Sequence, residues 1–427
     1  MIKKMRNNFH DQERKEFRAR LDYSLHPSRH IELPTQLYGR ESSIQEMLDA
    51  FETSGTHPFI WGPRGIGKTS LGHTACEAFN NEVVLASTVA CGKNTNFREL
   101  IDDVISNAVY RHSPIFKDSS LRASLKTFGI EVSTELAGIE SNQQDVSINQ
   151  AATLIDSTFS LSRYGEKTPI IIVDEFDRLD DEETFQSISD LLKQLSVISS
   201  RAKFCFCGVT DDLGHLLSAH ESVDRYIFGV ELQPLSHDSI WNLIRDTEQE
   251  FHIEFHRGQQ IRIGQISAGY PHFAHLVLKN TLMEAFENKF SERDVTTDLF
   301  RSGLNRSATQ AATRLRTAYE NAVRKGTDRY TEVLFAVANS KHLNRQFKDI
   351  VDDYQMIMQS RSDREGYDTK KNNAQDLRNA LNSLHRRGYL KKGKSGWYQF
   401  HDPMLRSYVR LIAETEGVEL GDDTFPN

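Results

Sequence analysis

The segment Gly62-Pro63-Arg64-Gly65-Ile66-Gly67-Lys68-Thr69 constrains this chain more than any other. It reads G-x-x-x-x-G-K-S/T, follows the apolar run 58–61 and opens a helical stretch. A strand, a glycine-rich turn and a helix in that order make an anion cradle. The glycines let backbone N–H groups curl round a phosphate, and the helix N-terminus favours negative charge. In such a cradle Lys68 neutralises the β/γ oxygens and the Thr69 hydroxyl holds Mg²⁺. With glycine near ~7% of residues, roughly one or two random chains in a hundred of this length would match. The flanking strand and helix lower that several-fold. Residues 62–69 with Ser70 are therefore the expected phosphate site, with ATP and Mg²⁺ as its ligands.

A second constellation follows about 100 residues later, IIIVDEFDRLDD. Four aliphatic residues, 170–173, end in Asp174-Glu175. A carboxylate at the C-terminal tip of a buried strand lies at the ligand edge of a parallel sheet. Asp174 is placed to hold Mg²⁺ with Thr69, and Glu175 to polarise an attacking water as catalytic base. Two acids there are costly unless a cation or a reaction uses them. The further runs 83–89, 204–209 and 226–232 are also apolar on nearly every position. This is the pattern of strands buried on both faces. Their alternation with helix-length segments predicts an α/β fold with a doubly covered sheet.

Composition narrows the class. Hydrophobic residues are 38% and charged residues 26%. No run of about 18 apolar residues exists, which argues against a membrane span. The charged N-terminus, MIKKMRNNFHDQERKEFRAR, lacks the apolar stretch of a secretory signal. Four cysteines in 427 residues cannot form a disulfide scaffold, and a reducing cytoplasm is the expectation. The net charge of −8 is uneven: residues 326–413 carry 16 Lys and Arg against 10 Asp and Glu. A basic module thus lies beside an acidic body and an acidic tail, 414–427. That balance suggests a polyanion partner for the module.

Residues 1–36 read as a helix and a linker, 37–235 as the sheet-bearing core, and 236–325 as helices only. Segment 326–413 holds helical stretches near 329–339, 343–360 and 374–387, then Tyr389-Leu390, a Lys/Gly turn and 397–400. Three helices and a short hairpin outline a winged helix. Within it Arg378, Arg386, Arg387, Lys391, Lys392 and Lys394 fall in 17 residues without an acid. Duplex DNA is the expected partner of residues 378–394, against the alternative of a solvated or protein-facing hairpin. Within 113–148, GIEVSTELAGIE has the alternation of a hairpin, either a contact loop or decoration. Cys205-x-Cys207 reads as buried thiols, and His252 with His256 as solvated helix histidines, because neither has a metal-site partner set. Trp397, Tyr398 and Phe400 read as hairpin core.

Several segments together resemble one family. LYGRESSIQEMLDAF, 37–51, resembles the adenine-binding linker of AAA+ initiator-type ATPases and STAND NTPases, implying nucleotide contacts at Tyr38, Gly39 and Arg40. The phosphate loop, IIIVDEFD and KFCFCGVTDD resemble the Walker A, Walker B and first-sensor segments of that group, with Thr210 or Asp211 as the sensor. HESVDRYIFGVELQPLS resembles the arginine-bearing helix start and last core strand, implying that Arg225 reaches a neighbour's γ-phosphate. SAGYPHFAHLV resembles the G-x-P contact of STAND proteins, implying that Pro271 packs on adenine. It departs from initiators, which carry an arginine there; His272 is the nearest candidate. HRRGYLKKGKSGWYQFHDPMLRSYVRL resembles the winged-helix end of archaeal-type STAND ATPases and origin-recognition initiators. The resemblance covers about residues 37–413. It implies an ASCE P-loop, AAA+-like parallel-sheet core with a helical lid and a C-terminal winged helix, and the first-sensor strand between the two Walker strands. It further implies an oligomeric, Mg²⁺-dependent ATPase. Its nucleotide state would control assembly on DNA, or gate a signalling or defence switch in which the winged helix contacts protein.

Overall fold

The apolar runs read from the sequence become the strands of one parallel sheet in the computed structural model. The structure describes residues 2–27, 30–31, 33–80, 86–111, 130–132, 139–141, 147–159, 168–209, 214, 216, 223–290, 292–324, 329–340, 342–361 and 373–421. They fall into two compact units, 30–233 and 1–29 with 234–427.

In the unit 30–233 the strands are β1 (His57–Trp61), β2 (Ala86–Ala90), β3 (Ile130–Val132), β4 (Ile139–Ser141), β5 (Ile170–Asp174), β6 (Lys203–Gly208) and β7 (Ile227–Glu231). Five of them make the sheet, in the order β2-β5-β6-β1-β7, with parallel pairing throughout. β6 therefore lies between β1, which leads into the phosphate loop, and β5, which carries the acids. Alternation sets the two faces. Ile60, Cys205 and Cys207 face the helix Lys68–Asn80, where a Cβ on Gly72 would meet all three at 3.5–3.8 Å. Phe59, Phe204 and Phe206 join the opposite core with residues such as Leu100, Ile155 and Ile188 of the helices Phe97–Arg111, Ile148–Phe159 and Glu182–Val197. The hydrogen bond between the two thiols, with burial, pushes Cys207 well above its ordinary range; the same bond lowers Cys205, but burial and nearby Cys76 and Asp174 still leave it raised, which agrees with inert core cysteines. β3 and β4 pair antiparallel, Val132 opposite Ile139. This is the hairpin expected from the alternation; its turn lies outside the described residues.

In the unit 1–29 with 234–427 the helix Ile2–Ser24 stacks Phe17 on Phe286 at 4.5 Å and edges it against Phe251 at 5.9 Å. The helices His237–Phe251, Arg257–Ser267, Pro271–Glu287, Thr297–Gln310 and Thr313–Arg324 follow. His252 and His256 were expected on a helix but sit on the connection between two. His252 ends one helix in the left-handed region and His256 caps the next. Gly269 has φ 81°, and a Cβ there would lie 2.6 Å from Pro234 Cβ, so the turn into Pro271 accepts only glycine.

Segment 326–413 holds the helices Tyr330–Ala338, Phe347–Ser360 and Ala374–Arg386, with β8 (Arg345–Gln346), β9 (Leu390–Lys392) and β10 (Trp397–Phe400). These strands form an antiparallel sheet in the order β8-β10-β9. The two-residue β8 had no signal in the sequence. Tyr398 and Phe400 are buried as expected; Trp397 is 37% exposed. The helix Pro403–Thr415 then carries Arg406 and Arg410 into the core. A helix end leaves its last four carbonyls without helical partners. Here arginines gather at that end: Arg410 donates to Ala338 O, the last helical carbonyl, at 2.9 Å and to Ser340 O at 2.5 Å, and Arg345 and Arg406 donate to Asn339 O and Ser340 O just past it. Among the described residues no helix is long and apolar enough to cross a membrane.

Candidate functional site

The loop between β1 and the helix Lys68–Asn80 is fixed at its entrance by a close approach. Gly62 has φ 153°, and a Cβ there would stand 2.6 Å from Leu232 O. Leu232 N in turn donates to Trp61 O at 2.8 Å, extending the β1–β7 pairing to the loop. Lys68, the first residue of the helix, folds its ammonium back to donate to Gly62 O at 3.0 Å and Pro63 O at 3.2 Å. Burial pushes its pKa below the ordinary lysine range. Cys207, Asp177 and Asp174 oppose that shift, and Arg64 adds to it. Arg40 is buried and braces the loop from behind by donating to Ile66 O at 3.2 Å; burial lowers its pKa to about 10. Tyr38 is half-buried and Gly39 exposed in the same turn. The Ser70 hydroxyl accepts from Ile31 N at 3.1 Å, so its oxygen is engaged by the preceding chain.

Thr69 and Asp174, 105 residues apart, meet across the sheet edge. The Thr69 hydroxyl donates to Asp174 Oδ2 at 2.8 Å, and Glu175 N donates to Asp174 Oδ1 at 2.8 Å. A hydroxyl and a carboxylate are hard oxygen donors of the kind Mg²⁺ prefers, so the residues fit the expected cation.

Glu175 adopts φ 52°, ψ 35°, left-handed for a residue with a side chain. Such a conformation costs of order 1–3 kcal/mol. Phe176 holds it: its ring is fully buried, edge-on to Phe59 at 5.5 Å and to Phe206 at 5.1 Å. Burying a phenylalanine contributes about 1.5–3 kcal/mol, enough to offset the strain. The turn that follows, Phe176–Arg178, brings Arg178 back onto Glu175. Arg178 Nη2 lies 3.0 Å from Oε1 and Nε 3.0 Å from Oε2, and Arg64 Nη2 lies 4.0 Å from Oε1. Beside this pair opens a cleft of about 480 Å³ lined by Arg64, Lys93, Asp177, Arg178, Leu179 and Asp180. Arg178 was absent from the sequence reading, because an Arg three residues after the strand-end Glu marks nothing until the turn at Glu175 folds it back.

Arg225 is exposed on a short turn immediately before β7. Thr210 and Asp211 lie outside the described residues. Pro271 is the half-buried first residue of its helix and belongs to the other unit. His272 faces Pro27 O through Nδ1, and burial lowers its pKa. A neutral imidazole cannot supply the positive charge of a second-sensor arginine.

A strand, a phosphate loop and an acid pair in this geometry agree with one family model, the AAA ATPase domain, which matches residues 36–202. The AAA+ resemblance is thereby met, and β6 between β5 and β1 is the strand order it implied. A Walker-type ATPase of Pyrococcus abyssi superposes with a TM-score of 0.51 at 16% identity, over 90% of this chain and 99% of that one. At that identity the likeness concerns the fold. Cdc6p from Pyrobaculum aerophilum (14% identity, TM-score 0.45, 90% and 96% covered) and the Orc1 protein of Aeropyrum pernix in complex with DNA (13%, 0.42, 90% and 95%) are also similar. No curated protein matches the sequence.

Proposed function

We propose that the AAA ATPase domain binds and hydrolyses ATP, and that its nucleotide state controls assembly of the chain on duplex DNA. The observation that carries the first part is the meeting of Lys68, Thr69, Asp174 and Glu175 at one sheet edge. Residues 62–70 wrap the phosphates, and Lys68 gives them its charge. Thr69 and Asp174 would hold Mg²⁺, which when bound screens the β/γ oxygens. Glu175 orients the attacking water and accepts its proton. Thr210 or Asp211 serves as the first sensor, and Tyr38, Gly39 and Arg40 frame the adenine. Arg225, exposed and cationic, completes a neighbouring copy's site, because a guanidinium spreads charge over the transferring oxygens. A strict monomer whose specific activity does not change with concentration would remove that role and the oligomer.

The DNA reading rests on segment 326–413, which we take as a winged helix. The outer face of its helix Ala374–Arg386 exposes Gln375, Arg378, Asn379 and Arg386, side chains suited to base edges and phosphates. Lys391 and Lys394 are exposed on the following hairpin. A specific observation favours the second reading, a nucleotide-gated switch with this module as a protein contact. Arg387 donates to Ala322 O at 3.0 Å, Lys392 to Asn382 Oδ1 at 2.9 Å, and Arg378 stacks on Phe347 at 4.2 Å. Half of the six bases are thus already engaged within the chain. The test measures ATP affinity and turnover for wild type and Lys68→Ala, and oligomer mass with and without duplex DNA. Lys68→Ala is expected to lose ATP binding. Unchanged affinity and turnover in that variant would refute the site, and a mass indifferent to DNA would favour the switch.

A further inference from the structure

The base assigned above does not project alone into its site. Both Glu175 oxygens are met by Arg178, through Nη2 and Nε at 3.0 Å each, and Arg64 stands 4.0 Å away. A forked guanidinium pair fixes the carboxylate in one orientation. A general base has to turn a lone pair toward the proton it takes, and the fork keeps both oxygens turned toward Arg178. We propose that Arg178, backed by Arg64, is a latch that holds Glu175 unproductive until Arg178 swings away. Arg178 is thus a positioning residue, and the inference rests on the reading of Glu175 as the base.

The surroundings provide both positions of such a latch. Phe176 anchors the backbone under Glu175, so the glutamate stays in place while its partner moves. The Arg178 side chain is 46% exposed and also lines the cleft, where Asp177 and Asp180 stand as alternative carboxylates. Swinging out therefore exchanges one ion pair for another without burying charge. The two partners belong to one local turn, residues 175–180, so the exchange needs no movement of the sheet. An exposed ion pair shifts an equilibrium by up to about five-fold, which bounds the effect.

The experiment measures ATP turnover and the affinity of a fluorescent ATP analogue for wild type, Arg178→Gln, Arg178→Lys and Asp180→Asn, at low and high sodium chloride. Arg178→Gln is expected to raise kcat about two- to five-fold with KM and analogue affinity unchanged, and Arg178→Lys less, because it keeps charge without the fork. Salt should raise the wild-type kcat by screening the pair and leave Arg178→Gln flat. Asp180→Asn, which removes the outer partner, should lower kcat. It remains a test should Arg178→Gln fail to fold. A kcat equal to or below wild type in Arg178→Gln, with analogue affinity kept, would overturn the latch and leave the ATPase reading standing. Analogue binding without turnover in wild type and every variant would overturn the hydrolysis reading and the latch with it.

Discussion

In residues 30–233 the groups Lys68, Thr69, Asp174 and Glu175 stay half-buried at the edge of the sheet. In residues 234–427 Arg345, Arg361, Arg406 and Arg410 lie in the core, between 3% and 7% exposed. Their donors go to helix-end carbonyls and to Glu332 and Glu416. The first unit holds its charges at a half-open edge, where under the proposed function a substrate's charge would answer them. The second uses arginine as an internal fastener, and burial lowers the pKa of Arg406 to about 10. Four of the 16 bases in 326–413 are thus unavailable to a polyanion. The positive balance of that segment overstates its outward charge. Counting charge along a sequence measures a surface only where the side chains reach one.

That contrast breaks most visibly at Arg410. Arg410→Met removes a charged donor from the carbonyls of Ala338, Ser340 and Gln265, of which Ala338 O keeps Ser340 N and Ser340 O keeps Arg406. A hydrogen bond from a charged group contributes about 1.5–3 kcal/mol, so a loss of about 2 kcal/mol is expected in chemical denaturation. Lys391→Met, on the exposed hairpin, should stay within about 0.5 kcal/mol of wild type. Equal effects would erase the distinction between fastener and surface.

Acid sharpens the comparison from the other side, because each unit buries a neutral histidine. His57 accepts from Phe204 N at 3.0 Å, and burial with nearby Lys203 pushes its pKa to about 3. His275 sits at about 3 through burial, with His26, His272 and Lys279 adding to it. The folded pKa lies below the unfolded value of about 6.5, so the unfolded chain binds more protons between the two. Stability from both groups is complete above about pH 6.5 and falls as pH drops toward 3, by up to about 1.4 kcal/mol per histidine per pH unit. Denaturation midpoints at pH 7.0 and 5.5 check this. A midpoint that does not fall would mean that neither site stays neutral.

The smallest effect belongs to the hairpin. If Lys391 and Lys394 meet phosphates, Lys391→Glu with Lys394→Glu should reduce the salt slope of duplex binding by about 0.9 per contact. The loss should be similar on all sequences. Equal slopes would turn the module toward protein.

Much of this was legible in residues alone. The apolar runs located all five sheet strands, since a strand covered on both faces has little room for polar residues. The glycine spacing and Asp174-Glu175 pointed to the sheet edge at which Thr69 and Asp174 meet. Arg178 was not legible, because its fork depends on the left-handed backbone at Glu175 that the burial of Phe176 holds. The arginine burial was hidden for a related reason: a helix C-terminus becomes an acceptor cluster only once tertiary packing brings Arg406 and Arg410 to it. β8 is two residues long and has no period to read.

The central claim is that the half-buried edge of residues 30–233 performs ATP hydrolysis with Glu175 as its base. Single-turnover hydrolysis by Glu175→Gln, with ATP affinity measured on the same protein, tests it most directly. Affinity should match wild type while the rate falls by ~10²–10⁴, the contribution of a positioned base. Wild-type turnover in Glu175→Gln would contradict the assignment.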